Sequence, residues 1–546
     1  MPHVCGRPRT TATAKELPMT HRVLFTAAFA VAALLLQAPQ PVRSAEDPRA
    51  ALARHAAYVG NPGGTVLTYQ YAPSATPTPA ASPSPGPTYE PATSTTYRRG
   101  TLYREVIGSE GVDAQEGFNG RVFWHANENH FVVPNLENDA RRSLTSTIVE
   151  AGIFDATVDM QDRGSQTIDG KQVDVVRVTP RGGLPADLAL DHATGAYVQV
   201  TLDPDDGRFI EHVEGYSEIA PGIRVPSTLR YGKDTRYVLR HGEARTVTDD
   251  ELKAPTPTAT WAFGSGADVP ISIERRTYGG RAVIVQASIN GHVGRFLLDS
   301  GASQILLYQP YAGQIGLTLL GNTAYGGVAG GTRSARWGRA NTIAFGDNTL
   351  SNVVLSVARK DTSFRTPIDG IVGFDVFAAA VVHVDLKHEM MAFADPAKVQ
   401  PVVAKDAYAF PVNLADNTPE IALKVGTVPT RAIFDTGDDF FATLSDDLKT
   451  SGRLVTLPEE IKLGARSFDM TMYFSGVDGV TPEPETCNRL REISIGPYRY
   501  QNVTTCFASQ RVFGRDGGLI GFDFLRHFNW TFDYTRSHIV LTPNGL

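Results

Sequence analysis

Two short turns carry the residue types in this chain that could do chemistry: Asp299-Ser300-Gly301 and Asp435-Thr436-Gly437. Each follows three apolar residues, Phe296-Leu-Leu298 in one case and Ala432-Ile-Phe434 in the other. A lone tripeptide of this kind is an ordinary turn composition, whereas two in equivalent settings form a pattern. Two carboxylates brought close cannot both ionise cheaply, so they share one proton and titrate as a pair. One can then take a proton from a bound water while its protonated partner donates to a carbonyl, which is general acid/base hydrolysis with no covalent intermediate. Ser300 and Thr436 supply hydroxyls that can hydrogen-bond across and hold the carboxylates in plane. Gly301 and Gly437 lack a Cβ and permit close backbone approach. This chemistry requires no cofactor.

The elements that must position these turns come as an internal repeat. Ala282 to Gly291 leads into Arg295-Phe-Leu-Leu-Asp-Ser-Gly301, and Ile421 to Gly426 leads into Ala432-Ile-Phe-Asp-Thr-Gly437, so each turn ends the outgoing strand of a hairpin. Later in each copy come Gly370-Ile-Val-Gly-Phe-Asp-Val-Phe377 and Gly518-Leu-Ile-Gly-Phe-Asp-Phe-Leu525. Asp385, in Val384-Asp-Leu386, and Asp533, in Phe532-Asp-Tyr534, each follow their motif glycine, Gly373 or Gly521, by 12 residues. The duplication implies two similar lobes whose pseudo-twofold arrangement brings the two turns face to face.

With both segments in both copies, the last half of the chain resembles the pepsin and retropepsin superfamily of aspartic proteases, in a form with tandem retropepsin-like halves in one polypeptide. The resemblance implies that the two segments of each lobe interlock beneath the catalytic Asp. Ile371-Val372-Gly373 would then support Asp299, and Leu519-Ile520-Gly521 would support Asp435. It also implies a flap. Ala324-Tyr-Gly-Gly-Val-Ala-Gly-Gly331 is the first-lobe candidate, with Tyr325, Gly326 and Gly327 at its tip, and Tyr473 to Gly479 occupies the corresponding place in the second lobe. Glycine density suits a mobile hairpin. Tyr325 reads as an ordinary hairpin aromatic, the alternative being a contact to the catalytic water network.

The second turn departs from the family pattern, because Asp438 and Asp439 stand where small residues are usual. Facing the pair, they would raise its pKa. The expectation is that the turn aims both side chains at solvent.

Length and composition frame this unit. A chain of 546 residues calls for several domains, and 51 Gly with 35 Pro favour turn-rich β architecture. The expected fold class is all-β: a two-lobed aspartic protease β-barrel unit, with lobes at 269–398 and 405–546, preceded by a mostly antiparallel β half-barrel over 97–262. Within that preceding domain Leu102 to Ile107, Val173 to Val178, Tyr197 to Leu202 and Phe209 to Val213 alternate as strands, and Asp139 to Ala151 reads as a helix. Its order of strands and turns resembles the lipoprotein-carrier half-barrel, which implies a lipid or an envelope protein as a partner. Residues 72–96 are almost wholly Pro, Ser, Thr and Ala, an extended linker or an insertion. Ala254-Pro-Thr-Pro-Thr-Ala259 marks a second boundary.

The apolar run Val23 to Leu36 after His21-Arg22 reads as a signal peptide over 1–45, with Met19 as a start and cleavage near Ala45. The run falls short of the about 20 residues a membrane anchor needs. The mature chain is therefore expected to be exported, periplasmic or secreted, with no transmembrane anchor. Of the 3 cysteines, Cys5 leaves with the signal, so Cys487 and Cys506 are expected to pair as a disulfide. The net charge of −7 is spread out and no basic cluster matches a run of phosphates, so nucleic acid is not an expected partner. His125 with His130, and His383 with His388, lack metal-ligand spacing, and Asp203-Pro-Asp-Asp-Gly207 lacks the closing Glu of a calcium loop, so no metal is expected. Two functions follow: an exported endopeptidase acting on peptide or protein substrates, or a catalytically weak envelope binding or maintenance protein that uses the half-barrel.

Overall fold

In the computed structural model the described residues are 47–60, 66–73, 93–109, 111–205, 209–231, 235–276, 279–326, 332–359, 366–399, 403–446, 448, 471–472, 475–476, 479–480, 485–508 and 517–546. The expected signal peptide lies outside them.

The chain is all-β, with two helices of more than one turn among the described residues. Helix α1, Pro48–Val59, begins on the Asp47 carboxylate, which accepts the Arg49 N–H at 3.0 Å, and has Pro in its first turn. Helix α2, Glu137–Ala151, ends on Gly152 in the left-handed region. Thirteen described strands form one antiparallel sheet with Val132–Pro134 at one edge and Val158–Ile168 at the other. Helix α2 connects those two edges. Leu52 of α1 and Val149 of α2 are buried against Val176, Val178, Leu188 and Leu190 on one face of the sheet, while Val173, Val175, Ala189 and Val198, which alternate with them, form a second buried cluster.

Strand Val66–Pro73 lies inside this sheet, paired with both Thr93–Arg99 and Thr235–Arg245. The Pro/Ser/Thr-rich segment therefore joins two paired strands as an insertion, and the domain includes strands N-terminal to residue 97. At the other boundary Thr260–Ala262 pairs with Asn348–Ala358 and so belongs to the first lobe's sheet. Composition located the Pro/Thr stretch, while strand pairing decides where the domain ends.

Each lobe is built on a hairpin leading to its turn. Gly279–Ile289 and His292–Leu298 are joined by Asn290-Gly291, both at positive φ (49° and 85°), as a tight two-residue turn requires. Glu420–Val425 and Val428–Phe434 repeat the hairpin. His292–Leu298 then lies parallel to Gly370–Val372, and Val428–Phe434 parallel to Gly518–Ile520. Gly370–Val372 and Gly518–Ile520 are buried along their whole length, which is why they read as unbroken apolar runs. Leu306–Tyr308 and Ala442–Ser445 close each interlock on the far side.

Six strands tie the lobes together, in the order Val269–Arg276, Met390–Ala394, Val381–Asp385, Phe528–Asp533, His538–Pro543, Tyr408–Pro411. The symmetric centre of this order falls between Val381–Asp385 and Phe528–Asp533, whose register pairs Val382 with Phe532. The repeat read in the sequence thus becomes a pseudo-twofold.

Candidate active site

The two turns meet at that pseudo-twofold. Asp299 N–H donates to Val372 O at 3.0 Å, and Asp435 N–H to Ile520 O at 2.9 Å, so the strands that the resemblance assigned to each aspartate hold both of them. Ser300 and Thr436 are fully buried and exchange bonds across the lobes. Ser300 N–H donates to Thr436 Oγ1 (2.9 Å) and Thr436 N–H to Ser300 Oγ (3.1 Å). Each hydroxyl then donates onward to the opposite strand, Ser300 to Phe434 O at 2.5 Å and Thr436 to Leu298 O at 2.8 Å. All four groups are thereby satisfied without water, which a buried polar cluster needs.

The glycines are where the lobes come closest. A Cβ at Gly301 would lie 2.5 Å from Asp435 Cγ, and one at Gly437 would lie 2.5 Å from Asp299 Cγ. No side chain fits either place. Their amides hold the carboxylates, Gly301 N–H to Asp299 Oδ1 at 2.9 Å and Gly437 N–H to Asp435 Oδ1 at 2.7 Å. Gly373 and Gly521 are equally constrained, since a Cβ on either would meet a carbonyl oxygen, of Ala302 or of Phe440, at 2.4 Å.

Burial, then the facing Asp435 carboxylate and the hydrogen bond between the two, push Asp299 well above the ordinary carboxylate range. Burial also raises Asp435, while the hydrogen bond from Asp299 and the Gly437 N–H draw it the other way. The two carboxyls therefore keep a shared proton to higher pH than isolated carboxylates would.

Three features escaped the sequence reading. Arg276, at the end of its hairpin strand in the first lobe, donates to Gly437 O in the second, and its charge lowers Asp299, Asp435, Asp438 and Asp439. Nothing in Arg275-Arg276 announces which neighbour it reaches. Tyr534 is buried beneath the lobes against Phe374 and Phe377, its hydroxyl without a hydrogen-bond partner among the described residues. Burial, then Asp299 and Asp435, push that phenol well up.

The third feature corrects an expectation. Asp438 points inward and is only 8% exposed. Its carbonyl accepts the Phe522 N–H at 2.7 Å, as that of Ala302 accepts the Phe374 N–H at 2.9 Å. The supporting glycine segment therefore pins the backbone, and the side chain lies against Gly521, where a Cβ would come within 2.7 Å of Asp438 Oδ2. Its Oδ1 accepts the Phe440 N–H at 3.3 Å. Burial, then Asp435 and Asp439, hold its carboxyl well above the usual range, which favours the neutral form. Asp439 is half-buried as well, close against Gly280 of the Arg276 hairpin.

Of the flap candidates, Tyr325 and Gly326 end the strand Thr318–Gly326, paired antiparallel with Thr332–Phe345, while Gly327 lies outside the described residues. In the second lobe Ser475–Gly476 pairs with Gly479–Val480. Cys487 and Cys506 face each other on neighbouring strands and are joined in a disulfide. His125 and His130 bond to Asn135 and Asp113, His388 to Asp385, and His383 to Thr531, in four separate places.

Residues 285–376 match the family model of the aspartyl protease. The matched segment contains both halves of the first-lobe interlock, the Asp299 turn and Gly373. Over 145 residues the chain is also 28% identical to DNA damage-inducible protein 1 of Kluyveromyces lactis, a stretch covering 26% of this chain and 34% of that protein. The chain thus spans about a third of that relative's length. An aspartyl protease domain supports a protease-like, hydrolytic function for this half of the molecule.

Proposed function

We propose that the chain is an exported aspartic endopeptidase in which Asp299 and Asp435 activate water against a peptide bond. The observation that carries the reading is the meeting of two Asp-Ser/Thr-Gly turns whose hydroxyls cross-brace the lobes and whose glycines face the opposite carboxylate. With one proton between them, the ionised member takes a proton from water while the other donates to the scissile carbonyl. The resulting gem-diol collapses as a carboxyl returns a proton to the leaving amine. An extended peptide would lie between the lobes and add as a strand to the hairpin Thr318–Gly326/Thr332–Phe345.

Export rests on the signal-like N-terminus, and the Cys487–Cys506 disulfide suits an oxidising compartment. No helix among the described residues is long and apolar enough to cross a membrane. A lipid or envelope protein as a partner of the half-barrel is a secondary part of the proposal.

The test is cleavage of a peptide library by the purified chain from acid to neutral pH, with and without a statine-type mimic of the gem-diol. Cleavage abolished by the mimic is expected. Absence of cleavage at every pH would turn the reading to the binding protein.

A further inference from the structure

The N-terminal domain reaches into the first lobe behind the Asp299 turn. Asn127 and Asn129, on the turn between Phe123–Ala126 and Val132–Pro134, are each 1% exposed. Their Nδ2 groups donate to Asp375 Oδ1 at 2.6 and 2.8 Å. The other oxygen of the same carboxylate accepts the Ile305 N–H at 2.8 Å. Asp375 follows Gly373 by two residues and Ile305 follows Asp299 by six, so one buried carboxylate joins the N-terminal domain to both segments of the first interlock.

The contact is built on both sides. Asn129 also brackets Val354, accepting its N–H at 2.7 Å and donating to its carbonyl at 2.8 Å. Asn127 Oδ1 accepts the N–H groups of Asn129 (3.2 Å) and Phe131 (3.1 Å), which holds the turn in shape. Phe131 and Val133 are buried in the same core as Phe296 and Leu298 of the strand leading to Asp299. Asp375 has no exposed surface. Withdrawing its amide donors would leave a carboxylate short of partners in a place water does not reach, and the loop hung on its other oxygen would shift.

The second lobe supplies the contrast. Asp523 occupies the motif position of Asp375, yet its side chain is 59% exposed and lies 3.6 Å from Arg526 of its own lobe. The N-terminal domain meets that lobe elsewhere, through Leu136 N–H on Asn413 Oδ1 at 3.3 Å and the Arg431–Glu137 ion pair.

We propose that Asn127 and Asn129 are positioning residues for the Asp299 turn, acting through Asp375, so that the N-terminal domain is a fixed part of the hydrolytic unit. The kinetic consequence rests on the peptidase reading; the structural one does not. The test compares the full chain with Asn127→Ala/Asn129→Ala, with the milder Asn127→Ala that keeps the Val354 bracket, and with Asp523→Asn. In the double variant kcat is expected to fall about 10- to 100-fold with KM changed less than about threefold, the cost of a displaced catalytic group. Hydrogen exchange is expected to quicken across 299–308 while 435–445 keeps its protection. Asn127→Ala should show both effects more weakly, and Asp523→Asn should show neither. If the double variant fails to fold, Asn127→Ala decides by the same two readouts. Wild-type exchange at 299–308 with wild-type kcat would overturn the inference, as would equal loosening of both loops. Should the wild type cleave nothing, the peptidase reading falls and the exchange comparison still decides this one.

Discussion

The two lobes present the same turn from nearly the same residues, yet different surroundings lie behind it. Behind Asp299 come the small Ala302 and the fully buried Asp375, bound by two asparagines of another domain. Behind Asp435 come the buried Asp438 and the exposed Asp523. Beneath them, the position one past the shared Asp385/Asp533 is Leu386 in the first lobe and Tyr534 in the second. Symmetry is kept where the proposed chemistry needs two equivalent turns and dropped one layer back. Groups with matched geometry and unmatched surroundings are how two carboxyls take different protonation roles.

The comparison breaks most visibly if the two aspartates are not equally needed. Asp299→Asn and Asp435→Asn are each expected to lower kcat/KM by about 10³-fold or more, with circular dichroism unchanged. Substantial activity surviving in one of them would mean that a single carboxyl does the work. Next in size are Gly301→Ala and Gly437→Ala. Each puts a Cβ 2.5 Å from the opposite carboxyl carbon, so matched losses of about 10²-fold are expected in steady-state assays. Unequal losses would show that one lobe yields more readily.

Smaller effects sharpen the picture of the cross-brace. Ser300→Ala and Thr436→Val each remove one hydroxyl and leave an amide and a carbonyl unpaired in a buried site. Urea unfolding should show about 1–3 kcal/mol lost in either case. The smallest effect on turnover is expected for Asp438→Asn, which resembles the neutral carboxyl that burial favours. Its signature is in stability. A carboxyl whose folded pKa is raised binds its proton more tightly folded than unfolded, so the stability Asp438 contributes should fall away as pH rises from about 4. Asp438→Asn removes that contribution and should flatten the fall measured between about pH 4 and about pH 7. The contributions of Asp375, pushed up to about 6, and of the raised Asp299 and Asp435 pair should remain. An unchanged slope in Asp438→Asn would mean that Asp438 is ionised in the folded chain.

What the sequence made legible follows from duplication. Two copies of an apolar run ending in Asp-Ser/Thr-Gly, each with a later glycine segment that an Asp follows by 12 residues, are enough to expect two lobes and a twofold, and the family resemblance adds the interlock. Strands of the N-terminal sheet were legible from alternation, and Tyr197–Leu202 and Phe209–Val213 have the expected bounds. Features outside the repeat were not legible in the same way. Arg276, Asn127 and Asn129 act on residues more than 150 positions away, and local pattern carries no record of such partners. Asp438 misled because turn composition suggests solvent, whereas the carbonyl bond to Phe522 fixes its direction from a segment 84 residues later. The domain edges at 97 and 262 were read from shifts in composition, and strand pairing crosses both of them.

The most direct test of the shared-proton dyad is the pH dependence of kcat/KM for the wild-type chain on one good peptide. Two limbs are expected, with the upper limb, where the pair loses its last proton, above the ordinary carboxylate range. Activity that rises as carboxylates ionise and then stays level into alkaline conditions would contradict it.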